Sequence, residues 1–75
     1  MINIGIIAGG GILPLVIGQS LIKKNFNVVF FVIEQSYNIE VYKDFNTKTI
    51  NLHSAKKIIE SLKSNNIKNI IMAGN

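Results

Sequence analysis

Short apolar runs alternate along this chain with stretches whose apolar side chains recur every three or four residues. Continuous runs are typical of parallel strands buried on both faces, and they lie at residues 3–8, 28–33 and 69–73. The segment 47–52 alternates polar and apolar side chains, which predicts a short strand nearer the edge of a sheet. The periodic stretches predict two amphipathic helices, at residues 13–24 and 55–65.

Each helix is expected to pack on the sheet through its apolar face. That face comprises Leu13, Val16, Ile17, Leu21 and Ile22 in the first helix, and Ala55, Ile58, Ile59 and Leu62 in the second. Gly18 lies within the first helix, where it predicts a close approach of the helix to a strand. Asn25 is expected to end that helix in a left-handed conformation, and Ser54 is expected to cap the start of the second helix.

The order of the elements, strand–helix–strand–strand–helix–strand, predicts an α/β fold. With right-handed crossovers it gives a half-Rossmann-like, three-layer domain around a parallel sheet of about four strands in the order 3-2-1-4. Residues 1–75 are expected to form this single domain, in which the fourth strand is buried and has an unpaired outer edge. A polar loop joins the second and third strands, and the aromatic side chains expected to anchor it are Tyr37, Tyr42 and Phe45.

A run of glycines, Gly9 to Gly11, follows the first strand and precedes Pro14. Proline suits the first turn of a helix because its φ is already helical. Glycines let the chain turn sharply and leave backbone N–H groups open to a ligand. Since the positive end of a helix dipole points the same way, this turn is a candidate site for a phosphate or pyrophosphate. The alternative is that the glycines only permit the turn.

Composition narrows the classes of function. The chain has no cysteine, so neither a disulfide nor a thiolate metal site is available, and its four acidic residues lack metal-ligand spacing. The net charge of +4 comes from lysines without any arginine, which favours an anionic partner. Because the lysines are scattered without interleaved aromatics, no nucleic-acid partner is expected. No apolar run approaches the roughly 20 residues of a membrane span, and no signal peptide is predicted.

Several charged side chains are expected at the same edge of the sheet as the glycines. Glu34 ends the second strand, where nucleotide-binding domains of the Rossmann type hold a ribose hydroxyl. His53 precedes the second helix and is a candidate proton donor or phosphate ligand, the alternative being a capping or solvated position. Lys56 and Lys57 are candidate phosphate contacts, the alternative being that they are only solvated.

Three stretches of this sequence together resemble a known family. They are residues 5–14 (GIIAGGGILP), the helix around Lys57 with Leu62 and Lys63, and residues 70–74 (IIMAG). Together they look like the N-terminal domain of the LpxI-type UDP-2,3-diacylglucosamine pyrophosphatases of lipid A synthesis, over the whole length of the chain. The chain departs from the family pattern at His53 and Ser54, where the family usually has a glycine–glutamine pair, and at Lys56, where it has glycine.

The resemblance implies a cytoplasmic enzyme, peripheral on the inner membrane, that hydrolyses UDP-2,3-diacylglucosamine to a lipid monophosphate and UMP with a divalent metal such as magnesium. It also implies a larger C-terminal domain that supplies the decisive acids, so this chain alone is expected to bind no metal and to be inactive. The partners implied are the UDP-lipid or lipid phosphate, that C-terminal domain and the inner-membrane surface. The resemblance carries over no catalytic residue, and the binding residues that it carries over are Gly9, Gly10, Gly11, Leu13, Pro14, Lys57, Ala73 and Gly74.

Two alternative functions remain open at this point. A dinucleotide-binding module of the NAD type agrees with Gly9, Gly11 and Glu34, but Pro14 stands where such domains have a third glycine. The other alternative is a structural or oligomerisation domain whose glycine turn has no ligand. A homo-oligomer is compatible with each of these functions.

Overall fold

The structure, a computed structural model, describes residues 2–9, 11–33, 39–51, 53 and 55–73. A short 3-10 helix, Ile39–Tyr42, lies where the sequence predicted only a loop. The other bounds differ from the predicted ones by at most two residues, at the end of the third strand. The elements are β1 (Asn3–Ala8), α1 (Leu13–Lys23), β2 (Asn27–Ile33), β3 (Thr47–Ile50), α2 (Ala55–Ser64) and β4 (Asn69–Ala73).

The strands form a parallel sheet in the order β3-β2-β1-β4, which confirms the predicted α/β fold and strand order. β1 is a central strand, and its Ile4 lies beside both Val28 of β2 and Asn69 of β4. At the other end of the same strands, Ala8 lies beside Ala73. The carboxyl ends of β1 and β4 therefore meet at one edge of the sheet.

The two helices cover opposite faces of the sheet. α1 packs on the face that contains the fully buried side chains of Ile6, Phe30 and Val32. α2 packs on the other face, where Ile58 and Leu62 contact a buried cluster that includes Phe31. Successive residues of β1 and β2 thus enter different halves of the core, which explains why the sequence of these strands is apolar without interruption.

The apolar face of each helix is narrower than the sequence predicts. Leu13, Val16 and Ile22 of α1 are 55%, 51% and 40% exposed, and Ile59 of α2 is 53% exposed, so the prediction that these side chains pack on the sheet is wrong. The α1 residues that do face the core are Pro14, Leu15, Ile17, Gly18 and Leu21. Because α1 is apolar on nearly every side, its periodicity does not select one face. Ser54, the predicted cap of α2, lies outside the described residues.

Gly18 brings α1 directly against β2, as predicted. A Cβ atom at this position would overlap the Phe30 ring and lie 3.3 Å from Cδ1 of Ile6. The rings of Tyr42 and Phe45 pack on the same Phe30 side chain, with centroid separations of 5.1 and 5.6 Å. These contacts confirm Tyr42 and Phe45 as anchors of the segment before β3, whereas Tyr37 lies outside the described residues.

Both helices end at an asparagine in the left-handed conformation, Asn25 with φ 69° and Asn66 with φ 55°. After α1, the N–H of Phe26 donates to the carbonyl oxygen of Leu21 at 3.1 Å. After α2, the N–H of Ile67 donates to the carbonyl oxygen of Leu62 at 3.0 Å. Such six-to-one bonds define Schellman-type helix ends, and the predicted stop at Asn25 is confirmed.

β4 is an exposed strand, and the prediction that it is buried is wrong. Its Ile70 and Met72 are 46% and 78% exposed. They lie beside Gly5 and Ile7 in the sheet, and so on the face that carries α2. The buried cluster beneath α2 contains no residue of β4, because the helix packs against β2 and β3 instead. Within the described residues, the outer edge of β4 has no neighbouring strand, as predicted.

Candidate functional site

The turn after β1 lies at the carboxyl edge of the sheet, where it begins with a bond to β4. The N–H of Gly9 donates to the carbonyl oxygen of Ala73 at 3.1 Å, which extends the pairing of β1 with β4 by one residue. The expectation that this N–H is free for a ligand is therefore wrong, because the N–H already has an acceptor. The same bond brings together two of the predicted site residues, Gly9 and Ala73.

Gly11 supplies the left-handed residue that the turn needs. Its φ is +72°, and among the described residues no atom other than those of its chain neighbours lies within 4 Å of the position that a Cβ would take. Side chains of L-residues disfavour this φ, so the backbone conformation itself accounts for the glycine. The open space beside Gly11 is accessible from solvent, as a ligand site at this turn requires. Gly10 lies outside the described residues.

Helix α1 begins beside this space without a side-chain cap among the described residues. Its N-cap residue is Ile12, whose side chain has no hydrogen-bond acceptor, and Pro14 occupies the first turn. The N–H of Val16 donates to the carbonyl oxygen of Ile12 at 3.1 Å. The N–H groups before Val16, those of Ile12, Leu13 and Leu15, belong to the open end of the helix, where backbone donors have no intrahelical partner. With no acid in the first turn, this end of the helix dipole favours an anion.

The side chains around the start of α1 are apolar and exposed. Ile12 is 69% exposed, and Leu13 and Val16 next to it are more than half exposed. Sequence reasoning missed this feature because it assigned Leu13 and Val16 to the core face of the helix. Leu13 therefore lies at the predicted site, with its side chain directed to solvent. Pro14, also a predicted site residue, is fully buried.

Lys57 and His53 lie on the β3 side of the sheet rather than beside the glycine turn. Lys57 lines a cavity of about 220 Å³ with Thr49, Ile50, Asn51 and Ser61. β2 separates β3 from β1, so this cavity is roughly two strand spacings, about 10 Å, from the turn. The backbone N–H of His53 donates to Oδ1 of Asn51 at 2.9 Å, and its side chain is exposed. The structure thus joins Gly9, Gly11, Leu13 and Ala73 in one region and places Lys57 in another.

The described residues contain no group of three or more His, Cys, Asp and Glu side chains that could hold a metal ion. Their donor set therefore does not fit the divalent metal implied by the sequence resemblance. Glu34 and Gly74, predicted at this edge of the sheet, lie outside the described residues. No helix in the described part of the chain is long and apolar enough to cross a membrane.

Comparison with known proteins identifies the family of the chain. The family model for the LpxI N-terminal domain matches residues 3–75, which include the glycine turn, α2 and β4. No curated protein and no solved structure matches the sequence. The chain belongs to the LpxI N-terminal domain family, and this membership relates it to lipid A biosynthesis.

Proposed function

We propose that this chain is the ligand-binding N-terminal domain of a UDP-2,3-diacylglucosamine pyrophosphatase, which releases 2,3-diacylglucosamine 1-phosphate and UMP. The observation that carries the proposal is the family match over residues 3–75. The uncapped start of α1 beside Gly11 supports it chemically, because it offers backbone donors to a phosphate. On this proposal the protein works in the cytoplasm, peripheral on the inner membrane that contains its lipid substrate.

The role proposed for these residues is to hold and orient the pyrophosphate. The N–H groups of Ile12 and Leu13 donate to phosphate oxygens, and the absence of a side chain at Gly11 lets the phosphate approach the backbone. The helix dipole of α1 stabilises the negative charge. Fixing the pyrophosphate in one orientation lowers the entropic part of the barrier to attack by water. The acids that activate the water are proposed to come from the C-terminal domain of the family, and no step is assigned to a metal.

Ligand titration followed by thermal unfolding tests the proposal. UDP and a UDP-sugar are expected to raise the unfolding temperature more than NAD does, because all three carry a pyrophosphate but only the first two carry the uridine of the proposed substrate. A ligand at 100 times its dissociation constant stabilises the folded state by about 2.7 kcal/mol, which such a measurement detects easily. Protection by NAD alone would identify a dinucleotide-binding module. Protection by none of the three would leave a structural or oligomerisation domain.

A pair of variants locates the binding to the glycine turn. Gly11→Asn keeps a residue that tolerates a left-handed φ but adds a side chain in the open space beside the turn. We expect it to weaken protection by UDP at least ten-fold in apparent affinity. Ser20→Asn is the matched control, because Ser20 is exposed on α1 at a distance from the turn. Equal protection of both variants would contradict the assignment of the phosphate to this turn.

We also propose that the 75-residue chain alone does not hydrolyse the UDP-lipid. The purified chain is incubated with UDP-2,3-diacylglucosamine and magnesium, and UMP release is followed by mass spectrometry. Because the proposal assigns only binding to these residues, no UMP above the protein-free control is expected. Turnover by the chain would require catalytic groups within it.

A further inference from the structure

One side of helix α1 presents a contiguous apolar surface to solvent. It consists of Ile12, Leu13 and Val16, here called the α1 patch, which are 69%, 55% and 51% exposed. Val16 is three residues from Leu13 and four from Ile12, so the three side chains are neighbours on the helix. Single exposed apolar residues are common in soluble proteins, whereas clustered ones mark a contact surface.

The same side of α1 is basic at its other end. Ile12, Val16 and Lys23 fall within roughly 40° of one another around the helix axis, and Lys23 lies about 16 Å along the axis from Ile12. Lys23 is exposed, and no acidic residue occurs in α1. An apolar surface with a lysine on the same side and no acid in the helix suits an anionic lipid surface, because the negative surface potential of such lipids attracts the lysine.

We propose that the α1 patch docks the protein on an anionic bilayer. Ile12, Leu13 and Val16 enter the boundary between headgroups and acyl chains, to a depth of about 5–10 Å, and Lys23 contacts lipid phosphates. The net charge of +4 favours the anionic surface and opposes a second copy of the chain at this patch.

This inference rests on the proposed function. It explains how the site reaches a substrate that is part of a membrane. The glycine turn directly precedes Ile12, so docking of the patch places the turn at the level of the lipid phosphates. A lipid headgroup then meets the backbone donors of the turn without leaving the bilayer.

Vesicle sedimentation tests the docking. The protein is mixed with vesicles of phosphatidylethanolamine and phosphatidylglycerol, or of phosphatidylcholine alone. Binding to the anionic vesicles is expected, with weaker binding to phosphatidylcholine. The Ile12→Gln, Val16→Gln double variant is expected to bind the anionic vesicles about ten-fold more weakly, because it loses the inserted apolar surface. Lys23→Gln is expected to weaken binding about five-fold at low salt and less at high salt.

The matched control is the Ile70→Gln, Met72→Gln double variant, which removes a similarly exposed apolar pair on β4. It is expected to bind vesicles like the unsubstituted protein, and circular dichroism checks that every variant is folded. Equal vesicle binding by the α1 variant, or an equal loss in the β4 control, overturns the docking. So does dimerisation through the α1 patch without vesicle binding.

Measurements on the unsubstituted protein separate this inference from the proposed function. UDP protection is measured without vesicles, and vesicle binding is measured without UDP. Protection by UDP without vesicle binding overturns the docking and leaves the nucleotide assignment in place. Vesicle binding without protection overturns the nucleotide assignment instead.

Discussion

The side chain of Phe30 connects three parts of the structure. It is a completely buried residue of β2. It packs against α1 at Gly18, and the rings of Tyr42 and Phe45 pack against it. Aromatic pairs at these separations contribute about 0.5–1.5 kcal/mol each beyond the burial of their surface. Changes at the atoms that meet this ring are therefore the ones expected to alter stability most.

Replacing Gly18 by alanine is expected to destabilise the protein by about 1–3 kcal/mol, because the new methyl group overlaps the Phe30 ring. Alanine is the better helix former by about 1 kcal/mol, so helix propensity alone predicts the opposite sign. Urea unfolding of Gly18→Ala measures the difference. Ser20→Ala on the exposed side of the helix is the control and is expected to be neutral or slightly stabilising. A Gly18→Ala variant more stable than the parent would mean that α1 does not lie directly on Phe30.

Tyr42 buries a hydroxyl group that has no hydrogen-bond partner in the described part of the chain. Removing an unpaired buried hydroxyl is neutral or favourable, so Tyr42→Phe is expected to leave the free energy of unfolding at pH 7 unchanged or raise it by up to about 1 kcal/mol. Urea unfolding at pH 7 measures this. A loss of more than 1 kcal/mol would show that the hydroxyl makes a hydrogen bond.

The same variant is expected to change the response to alkaline pH. Burial raises the pKa of Tyr42 above its usual value of 10.0. The unfolded chain therefore releases the phenolic proton at a lower pH than the folded protein does. The tyrosine's contribution to stability is complete below pH 10 and decreases as the pH rises through the folded-state pKa. Between pH 10 and 11, unfolding curves of the parent protein are expected to shift to lower urea concentration more than those of Tyr42→Phe. Equal shifts would exclude this ionisation as a cause.

At the scale of elements, the two ends of helix α1 differ in how their backbone groups are satisfied. Its carboxyl end is closed by the Schellman-type bond to Leu21, whereas its amino end has Ile12 at the N-cap and no capping side chain among the described residues. An uncapped amino end makes a helix less stable by about 1 kcal/mol. In the proposed function this cost is offset when a phosphate takes the place of the cap.

An acidic cap at Ile12 is expected to stabilise the protein and to abolish anion binding. The carboxylate of Ile12→Asp accepts hydrogen bonds from the first turn of α1 and interacts favourably with the helix dipole, together about 1 kcal/mol or more. Its negative charge also lies beside the N–H groups of Ile12 and Leu13 and repels a phosphate there. Thermal unfolding with and without UDP measures both effects. Ile12→Asn is the control for charge, because it caps the helix without repelling the ligand by net charge. Undiminished protection of both variants by UDP would mean that the ligand does not bind at this helix end.

Much of the element pattern follows from short-range signals in the sequence. Pro14 and Asn25 mark the two ends of α1, and the uninterrupted run at residues 28–33 identifies a central strand. The sequence does not predict which face of α1 is buried, because apolar residues occur on nearly all sides of the helix. The fit of Gly18 on Phe30 determines which of these sides packs on the sheet. The sequence does not predict the exposure of β4 either, because the burial of that strand depends on which strands α2 covers.

The position of the candidate site was predictable from the sequence, but not all of its geometry was. A glycine turn between a buried strand and a helix locates the region without any knowledge of neighbouring strands. Whether the N–H of Gly9 is free depends on how far β4 extends beside β1, and the sequence of the turn has no information on that length. The distance of Lys57 from the turn, by contrast, follows from the predicted strand order, because β2 lies between β3 and β1.

At the scale of the whole molecule, the two edges of the sheet are unequal. β3 is four residues long and carries the exposed Lys48, and both features discourage pairing with another chain. β4 is five residues long, has no charged residue, and exposes Ile70 and Met72 beside its outer edge. Association of the protein at high concentration is therefore expected to begin at β4.

A lysine on β4 is expected to suppress that association. Met72→Lys places a charge beside the outer edge, at a side chain that is 78% exposed, so little packing is lost. Light scattering over a range of protein concentrations measures the effect. Thr49→Lys on β3 is the control, since it adds the same charge at the other edge. Equal improvement by both variants would attribute the effect to net charge rather than to β4.

The position of β1 between β2 and β4 also has a consequence for how the chain reaches its folded state. The partner of Ile4 on one side is Val28, but its partner on the other side is Asn69. Contacts between residues so distant in sequence slow folding, because a long loop must close before they form. During synthesis, β1 is therefore completed only after β4 has been made, and its apolar edge stays available to chaperones until the chain has grown past β4.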